Sequence, residues 1–297
     1  MCGIVGGISH RVVTPILLEG LRRLEYRGYD SSGVAVIDDQ GALVRVRRKG
    51  KIRELEQALE ITPALGRLGI AHTRWATHGV PSERNAHPHL CRDFVAVVHN
   101  GIIENHEILR SELEERGYVF ESETDTETIV HLIHEFLEAG STLLDAVRKT
   151  CDRLEGAYAI GVVSTGSPET LITARHGSPL VIGLGKGENY IASDIFALVG
   201  ETQRFVFLED GDFAALTRDS VTIINSEGQT VDRPVHETGL AADAVERGEY
   251  RHYMQKEIHE QPGAIRKTLE GRLGQGRVLD SAFGLMASEA FESVRAV

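Results

Sequence analysis

The sequence predicts an α+β domain in which antiparallel sheets are stacked on one another and covered by helices. Two observations favour this class. About a dozen short apolar runs have the character of strands, and about five longer segments have the apolar spacing of helices. The apolar face of a sheet or of a helix must pack against another element, and a layered domain supplies such an element to each.

The predicted strands are short, and several alternate between apolar and polar residues. Turn-forming residues separate them, for example at 38–41, 209–212 and 225–228. The strands are expected at residues 2–8, 33–37, 42–46, 69–72, 94–99, 158–163, 170–174, 180–183, 190–192, 205–208, 213–216 and 221–224.

The predicted helices follow an apolar spacing of three and four residues. The first is expected to start with Thr14 as its N-cap, followed by Pro15 in the first turn. The helices are expected at residues 15–25, 51–59, 106–116, 126–139 and 141–154.

The pattern changes near residue 236. Residues 236–247 are polar and rich in alanine and have no strand pattern. A helix is expected at 250–259, ending before Pro262, because the residue before a proline avoids the helical conformation. The interpretation is one domain over residues 1–240, followed over 241–297 by a linker and the start of a second part whose body is absent.

The composition is that of an ordinary globular protein, and it excludes several classes. The 297 residues include 32 basic and 44 acidic side chains, so the net charge is −12. This argues against a non-specific nucleic-acid binder, whose binding face is basic. No apolar run approaches 18 residues, so no membrane-spanning helix is expected. Three cysteines form an odd, sparse set that fits a reducing cytoplasm better than a disulfide framework.

Cys2 is the first candidate for chemistry. Removal of Met1 would leave its thiol and a free α-amine on one residue, and such an amine has a pKa of about 7.7–8.0. It could take the thiol proton and return one to a leaving group. If Met1 stays attached, that nitrogen is an amide with no basicity. The alternative is a buried cysteine on a first strand.

His99, Asn100 and Gly101 form the second candidate, at the end of a predicted strand. A side-chain amide followed by a glycine N–H is a plausible pair of donors for an oxyanion. The alternative is a hairpin turn, because Asn-Gly is the strongest short turn signal.

Arg74 and Asp125 are candidates for substrate binding. The planar fork of Arg74 suits a small carboxylate, although a surface arginine beside a core Trp75 is the alternative. Asp125 stands at a predicted helix start, where it is either a plain cap or a carboxylate that faces an ammonium group.

Two other patterns have ordinary interpretations. His87, His89 and Cys91 are too few for a zinc site, which needs about four converging ligands. The glycine-rich segment 183–187 matches no phosphate-binding motif and precedes a strand, so a hairpin turn is expected there.

Together, six motifs closely resemble the glutaminase domain of the glutamine–fructose-6-phosphate aminotransferases (glucosamine-6-phosphate synthases), which are class II glutamine amidotransferases with an N-terminal nucleophile. A further segment, YRHYMQKEIHEQP at 250–262, resembles that family's entry into its sugar-phosphate isomerase half. The motifs are CGIVG at 2–6, LEYRGYDS at 24–31, HTRWATHG at 72–79, NAHPH at 85–89, HNGIIEN at 99–105 and SETDTE at 122–127.

The resemblance implies a fold and a set of roles. The fold is the four-layer αββα sandwich of N-terminal nucleophile hydrolases. Cys2 would be the nucleophile and its α-amine the base, with Asn100 and Gly101 as the oxyanion hole. The resemblance also implies how glutamine is bound: Arg74 would bind its α-carboxylate and Asp125 its α-ammonium group. Thr77 and His78 would stand beside these two residues. Arg27 would order the pocket, and Trp75 would gate the exit of ammonia.

The resemblance also implies the biological setting. The chain is expected to hydrolyse glutamine as the ammonia-supplying half of a transferase of hexosamine biosynthesis, on the route to UDP-N-acetylglucosamine. The acceptor, fructose 6-phosphate, would bind the isomerase half of the same polypeptide. We expect no cofactor, no metal, no nucleic acid and no membrane as partners. The full-length family member is expected to be a homodimer, and the present segment alone is expected to show only glutaminase activity. The alternatives are a glutaminase domain that serves another acceptor and a non-catalytic module of the same fold.

Overall fold

The structure is a computed structural model that describes residues 2–75, 79–239, 250, 253–269, 273–274 and 277–278. Contacts divide the chain into two compact units, Met1–Val245 and Glu246–Val297. No helix within the described ranges has the length and apolarity that crossing a bilayer requires.

The first unit contains fourteen described strands, and most are short. In chain order they are β1 (Gly3–Ile8), β2 (Ser31–Asp38), β3 (Leu43–Lys49), β4 (Gly66–Arg74), β5 (His89–Cys91), β6 (Val95–Ile103), β7 (Gly156–Ser164), β8 (Leu171–His176), β9 (Val181–Leu184), β10 (Asn189–Ala192), β11 (Arg204–Phe207), β12 (Phe213–Leu216), β13 (Val221–Ile224) and β14 (Val235–Glu237).

These strands form two sheets in which every recorded strand pair is antiparallel. The first sheet has the order β14-β11-β9-β10-β1-β4-β2-β3, and the second has the order β13-β12-β8-β7-β6-β5. Strand β1 therefore lies in the middle of the first sheet, with β10 on one side and β4 on the other. The chain segment that begins at Cys2 is thus not at a sheet edge.

Five helices of the first unit lie on the outer faces of the two sheets. They are α1 (Thr14–Leu24), α2 (Ile52–Ile61), α3 (His106–Glu115), α4 (Thr126–Glu138) and α5 (Leu143–Cys151). Helices α1 and α2 share an apolar core with the first sheet, and α3, α4 and α5 share another with the second. A third core, which includes Ile4, Ile70, Val98 and Ile191, joins strands of both sheets. The three cores separate four layers, so the αββα sandwich is confirmed.

The second unit contains a helix, α6 (Tyr253–Leu269), and a small antiparallel pair, β15 (Leu273–Gly274) with β16 (Arg277–Val278). The predicted end of the helix before Pro262 is wrong, because the helix continues through that residue. A proline inside a helix removes one backbone hydrogen bond, which weakens the helix without forbidding it.

Most element predictions are confirmed to within a few residues, and the differences have local causes. Helix α1 begins at Thr14 with Val13 as its cap residue, because the Thr14 hydroxyl donates to the carbonyl of Ala64 instead of capping the helix. The polar strand β14 was missed because it pairs at a sheet edge, where its side chains are exposed and carry no apolar pattern.

Candidate active site

The candidate site lies where the two sheets bring the ends of three strands and one helix together. Gly3 of β1 pairs with Thr73 of β4, so the residues just outside that pair, Cys2 and Arg74, are neighbours. The opposite sheet contributes β6, and α4 starts at the same place. Cys2, Arg74, Gly101 and Asp125 consequently line one recess.

The Cys2 thiol sits against the backbone of Trp75. The Trp75 N–H donates to Sγ at 3.2 Å, and Sγ lies 3.4 Å from the Trp75 carbonyl oxygen, to which the thiol can donate. Burial raises the pKa of the Cys2 thiol, and the Trp75 N–H and the charge of Arg74 offset only part of that rise. The thiol is therefore protonated at neutral pH, and a base must remove its proton before it can attack.

Asn100 lies within strand β6, and the alternative of a hairpin turn is wrong. The strand continues from Val95 to Ile103 and pairs with β7 throughout, with Asn100 opposite Ala159. The amide nitrogen Nδ2 donates to the carbonyl oxygen of Cys2 at 3.2 Å. The amide is thus held beside the candidate nucleophile by the fold.

Gly101 occupies a position that only glycine can fill. Its φ is +139°, a region that residues with a Cβ rarely adopt. A Cβ would overlap the Ala157 carbonyl oxygen of the neighbouring strand and would lie 2.9 Å from Nε2 of His99. The backbone is therefore unusual at this one residue, although the pairing of β6 with β7 continues through it.

Arg74 and Asp125 are both buried, with 3% and 4% of their surfaces exposed. The alternative, a surface arginine beside a core tryptophan, is wrong: Arg74 is the buried residue, and Trp75 is 49% exposed. Nη2 of Arg74 donates to the Gly79 carbonyl at 3.2 Å, and Oδ2 of Asp125 accepts from the Ile103 N–H at 2.9 Å. Asp125 stands at the N-cap position of α4 without a side-chain capping bond, so the plain cap is also wrong.

Two cavities adjoin Cys2 and differ in size. The recess shared by Arg74 and Asp125 has a volume of about 20 Å³, room for one or two water molecules. On the other side of Cys2 lies a cavity of about 540 Å³. Its lining residues are Cys2, Trp75, Asn100, Gly101, Ile102, Glu104, Ala157, Ser178, Pro179 and Ser193.

A group of buried histidines adjoins the recess, and two of them, His87 and His99, line it. Nε2 of His87 and Nδ1 of His99 both lie within 2.9 Å of the Thr126 hydroxyl, and the ring of His87 stacks on that of His72 at 4.2 Å. His89 is bonded instead to the hydroxyl of Thr124 at 3.0 Å. Burial lowers the pKa of His72 to about 3 and that of His87 well below its usual value.

His72 has no predicted role from the sequence, although it lies two residues before Arg74. Residues two apart on a strand share one face, so the signal was present in the spacing. This spacing between His72 and Arg74 could be interpreted only once the position of the opposite sheet was known.

Three predicted site residues lie wholly or partly outside the described part of the chain. Thr77 and His78 lie outside the described residues. The backbone of Arg27 ends a short 3-10 helix, Glu25–Arg27, but its side chain lies outside the described residues. The next residue, Gly28, packs directly against Arg74, because a Cβ on Gly28 would lie 2.8 Å from the Arg74 carbonyl carbon.

Comparisons with known proteins show which family this chain is similar to. A family model described as a glutamine amidotransferase domain matches residues 72–200. The glutamine–fructose-6-phosphate aminotransferase (isomerizing) of Pseudomonas aeruginosa is 58% identical over 297 residues, which is 100% of this chain and 49% of that protein. The protein of the same name from Shewanella oneidensis is 56% identical, with the same coverage. The chain thus spans about half the length of the curated relatives that it matches.

Solved structures give a similar result at lower identity. Glutamine phosphoribosylpyrophosphate amidotransferase from B. subtilis is 29% identical with a TM-score of 0.63, covering 80% of this chain and 49% of that one. A glutamine aminotransferase class-II domain protein from Silicibacter pomeroyi is 14% identical with a TM-score of 0.52, covering 76% of this chain and 99% of that one, and that likeness shows the fold alone.

Proposed function

The chain belongs to the class II glutamine amidotransferases, and on that premise we propose that it hydrolyses glutamine to glutamate and ammonia through a thioester on Cys2. The observation that carries the proposal is the convergence of four elements on Cys2. Its thiol lines one recess with the buried, oppositely charged side chains of Arg74 and Asp125, and the Asn100 amide is bonded to the Cys2 carbonyl.

The two charges would hold the amino-acid end of glutamine. The guanidinium of Arg74 offers a planar pair of donors to the α-carboxylate, and the carboxylate of Asp125 accepts from the α-ammonium group. Both side chains are buried, so each would gain a partner that is screened from water. This orientation places the side-chain amide of glutamine toward Cys2.

In the first half of the reaction the Cys2 thiol gives its proton to its own α-amine, once Met1 has been removed. The sulfur attacks the side-chain carbonyl carbon of glutamine, and the carbonyl oxygen becomes an oxyanion that Asn100 Nδ2 and the Gly101 N–H stabilise. The protonated amine then gives its proton to the departing nitrogen. The carbon–nitrogen bond breaks, ammonia leaves, and a γ-glutamyl thioester remains.

In the second half a water molecule attacks the thioester and gives up a proton to the α-amine. The carbon–sulfur bond breaks, glutamate leaves, and the proton returns to the sulfur. Splitting the reaction matters because an amide is a poor electrophile, whereas a thioester is a better one that a base-activated water can attack.

We further propose that the ammonia serves an amino transfer to fructose 6-phosphate in an isomerase half of the whole protein, with Trp75 at the exit. The half-exposed Trp75 borders both Cys2 and the larger cavity, which supports a role at the exit. The identity of 58% to aminotransferases of this name, against 29% to the phosphoribosyl enzyme, favours the sugar phosphate as acceptor. A cytoplasmic location is proposed because Cys2, Cys91 and Cys151 are all free thiols.

The glutamine analogue 6-diazo-5-oxonorleucine tests the nucleophile. In protein shown by mass spectrometry to begin at Cys2, we expect one equivalent of label on Cys2 and loss of glutamate release. Cys2→Ser should hydrolyse glutamine more slowly by orders of magnitude, because a hydroxyl is far less acidic than a thiol.

Cys91→Ala is the matched control, since Cys91 is a buried thiol outside the site. It should label and turn over like the unaltered protein. Label on Cys91 or Cys151 of the unaltered protein would refute the assignment of the nucleophile.

A further inference from the structure

The ring of His72 connects the two sheets at the site. His72 lies on β4 of the first sheet, and its Nε2 is 3.0 Å from the carbonyl oxygen of His99 and 3.0 Å from Oδ1 of Asn100, both on β6 of the second sheet. Each of these oxygens is an acceptor only. Nε2 must therefore carry the hydrogen, which it shares between them.

This bond determines which way the Asn100 amide faces. With Oδ1 bound to His72, Nδ2 points in the other direction and donates to the Cys2 carbonyl at 3.2 Å. A flipped amide would set its NH₂ group against the Nε2–H and its oxygen against the Cys2 carbonyl. Both contacts would be repulsive, so the two bonds enforce the same orientation.

The surroundings of His72 favour a neutral ring. Its side chain is completely buried, its Nδ1 has no hydrogen-bond partner among the described residues, and His87 stacks on one face. A second proton would add an unpaired N–H and an uncompensated charge to a closed space. His72 is thus suited to hold a fixed hydrogen bond and is unsuited to move a proton.

We propose that His72 is a positioning residue, which locks the Asn100 amide with its NH₂ group toward the oxyanion that forms on glutamine. The inference rests on the proposed function, because the orientation of the amide matters only if Asn100 meets that oxyanion. Without His72 the amide could turn its oxygen toward the developing negative charge and destabilise it.

A double-mutant cycle tests this role. His72→Phe keeps a flat ring and removes the donor, so kcat for glutamate release should fall at least about tenfold, up to the roughly 10²–10³ that loss of one oxyanion donor costs. KM should change little, because the oxyanion exists only in the transition state. In an Asn100→Ala background, His72→Phe should slow kcat by no more than about twofold, since the group that it positions is gone.

Two variants separate positioning from packing. His72→Gln can place an amide N–H near Nε2 and should recover most of kcat. His72→Asn carries its amide nearer the position of Nδ1, so its kcat should stay low. If His72→Phe does not fold, His72→Asn replaces it in the double-mutant cycle. His134→Phe is the matched control: His134 is another buried histidine, bonded to Tyr118 at 3.0 Å away from the site, and its loss should lower Tm without changing kcat.

A normal kcat in folded His72→Phe, or equal effects of His72→Phe with and without Asn100, would overturn the proposal. Absence of glutamate release from the unaltered protein that begins at Cys2 would instead overturn the proposed function. The two failures are therefore distinguishable.

Discussion

Asn100 shows how the meaning of one residue depends on what faces it. In sequence it stands in an Asn-Gly pair, the commonest signature of a tight hairpin. In the structure it lies inside a paired strand and donates to the Cys2 carbonyl. Its contribution is thus expected in the reaction barrier more than in a turn.

Asn100→Ala should turn over glutamine about 10²–10³-fold more slowly, because one donor to the oxyanion is lost. KM should change little, and Cys2 should still react with small alkylating agents. The free energy of unfolding should fall by only about 0.5–1.5 kcal/mol for each hydrogen bond removed. Steady-state kinetics and urea unfolding provide both measurements.

Asn105→Ala is a matched control, because the Asn105 amide bonds to the Arg153 carbonyl and the Glu155 N–H outside the site. It should lose a similar amount of stability and keep its kcat. A normal kcat in Asn100→Ala together with a lowered Tm would show that Asn100 has only a structural role.

At the scale of the element, strand β6 combines a regular ladder with one irregular residue. It carries Asn100, Gly101 and the Ile103 N–H that binds Asp125. The proposed oxyanion donors and the position of Asp125 in the recess therefore depend on a single strand. A distortion of its backbone should change all of them together.

Gly101→Ala should disturb this strand in both stability and activity. The new methyl group would overlap the Ala157 carbonyl oxygen at a φ that alanine resists.

Gly117→Ala is the comparison: its φ is +85°, and nothing lies within 4 Å of a Cβ there. Both variants carry the cost of an unfavourable φ, which is about 1–2 kcal/mol for Gly117→Ala and about 1–3 kcal/mol for Gly101→Ala. Only Gly101→Ala should lose roughly 1–3 kcal/mol more through overpacking, and kcat should fall only there. Equal losses of stability, measured by urea unfolding, would contradict the steric argument.

At the scale of the whole molecule, the buried histidines between the layers link stability to pH. The folded protein holds His72 with a pKa of about 3, while burial lowers the pKa of His87 and His89 well below the usual 6.5. Between about pH 6.5 and pH 3 the unfolded chain therefore binds protons that the folded chain does not.

The free energy of unfolding should consequently fall as the pH drops below 6.5. Each such histidine contributes about 1.4 kcal/mol per pH unit well below its unfolded pKa. Urea unfolding at pH 7.5, 6.0 and 5.0 measures the slope, in a range above the titration of most carboxylates. His72→Gln should reduce the slope by about one proton, and a flat profile in the unaltered protein would contradict the prediction.

The extent of the elements could be predicted well from the sequence. Apolar periodicity reports whether a segment is buried on one face, and this property is local to the segment. The strands at 213–216 and 221–224 were predicted to the residue. The exposed strand β14 was not predicted, because it leaves no local apolar signal. The last predicted helix ended too early, because the rule that a helix ends before a proline does not hold at Pro262.

The sequence by itself also determined the fold class, the family resemblance and the candidate residues Cys2, Arg74, Asn100, Gly101 and Asp125. Only the tertiary structure decided between the local structural alternatives for Arg74, Asn100 and Asp125. It buries Arg74 instead of Trp75, keeps Asn100 in a strand and frees Asp125 from capping. It also brings His72 to Asn100 across two sheets. The physical reason is that these roles depend on strand register and sheet stacking, which are contacts between residues far apart in the chain.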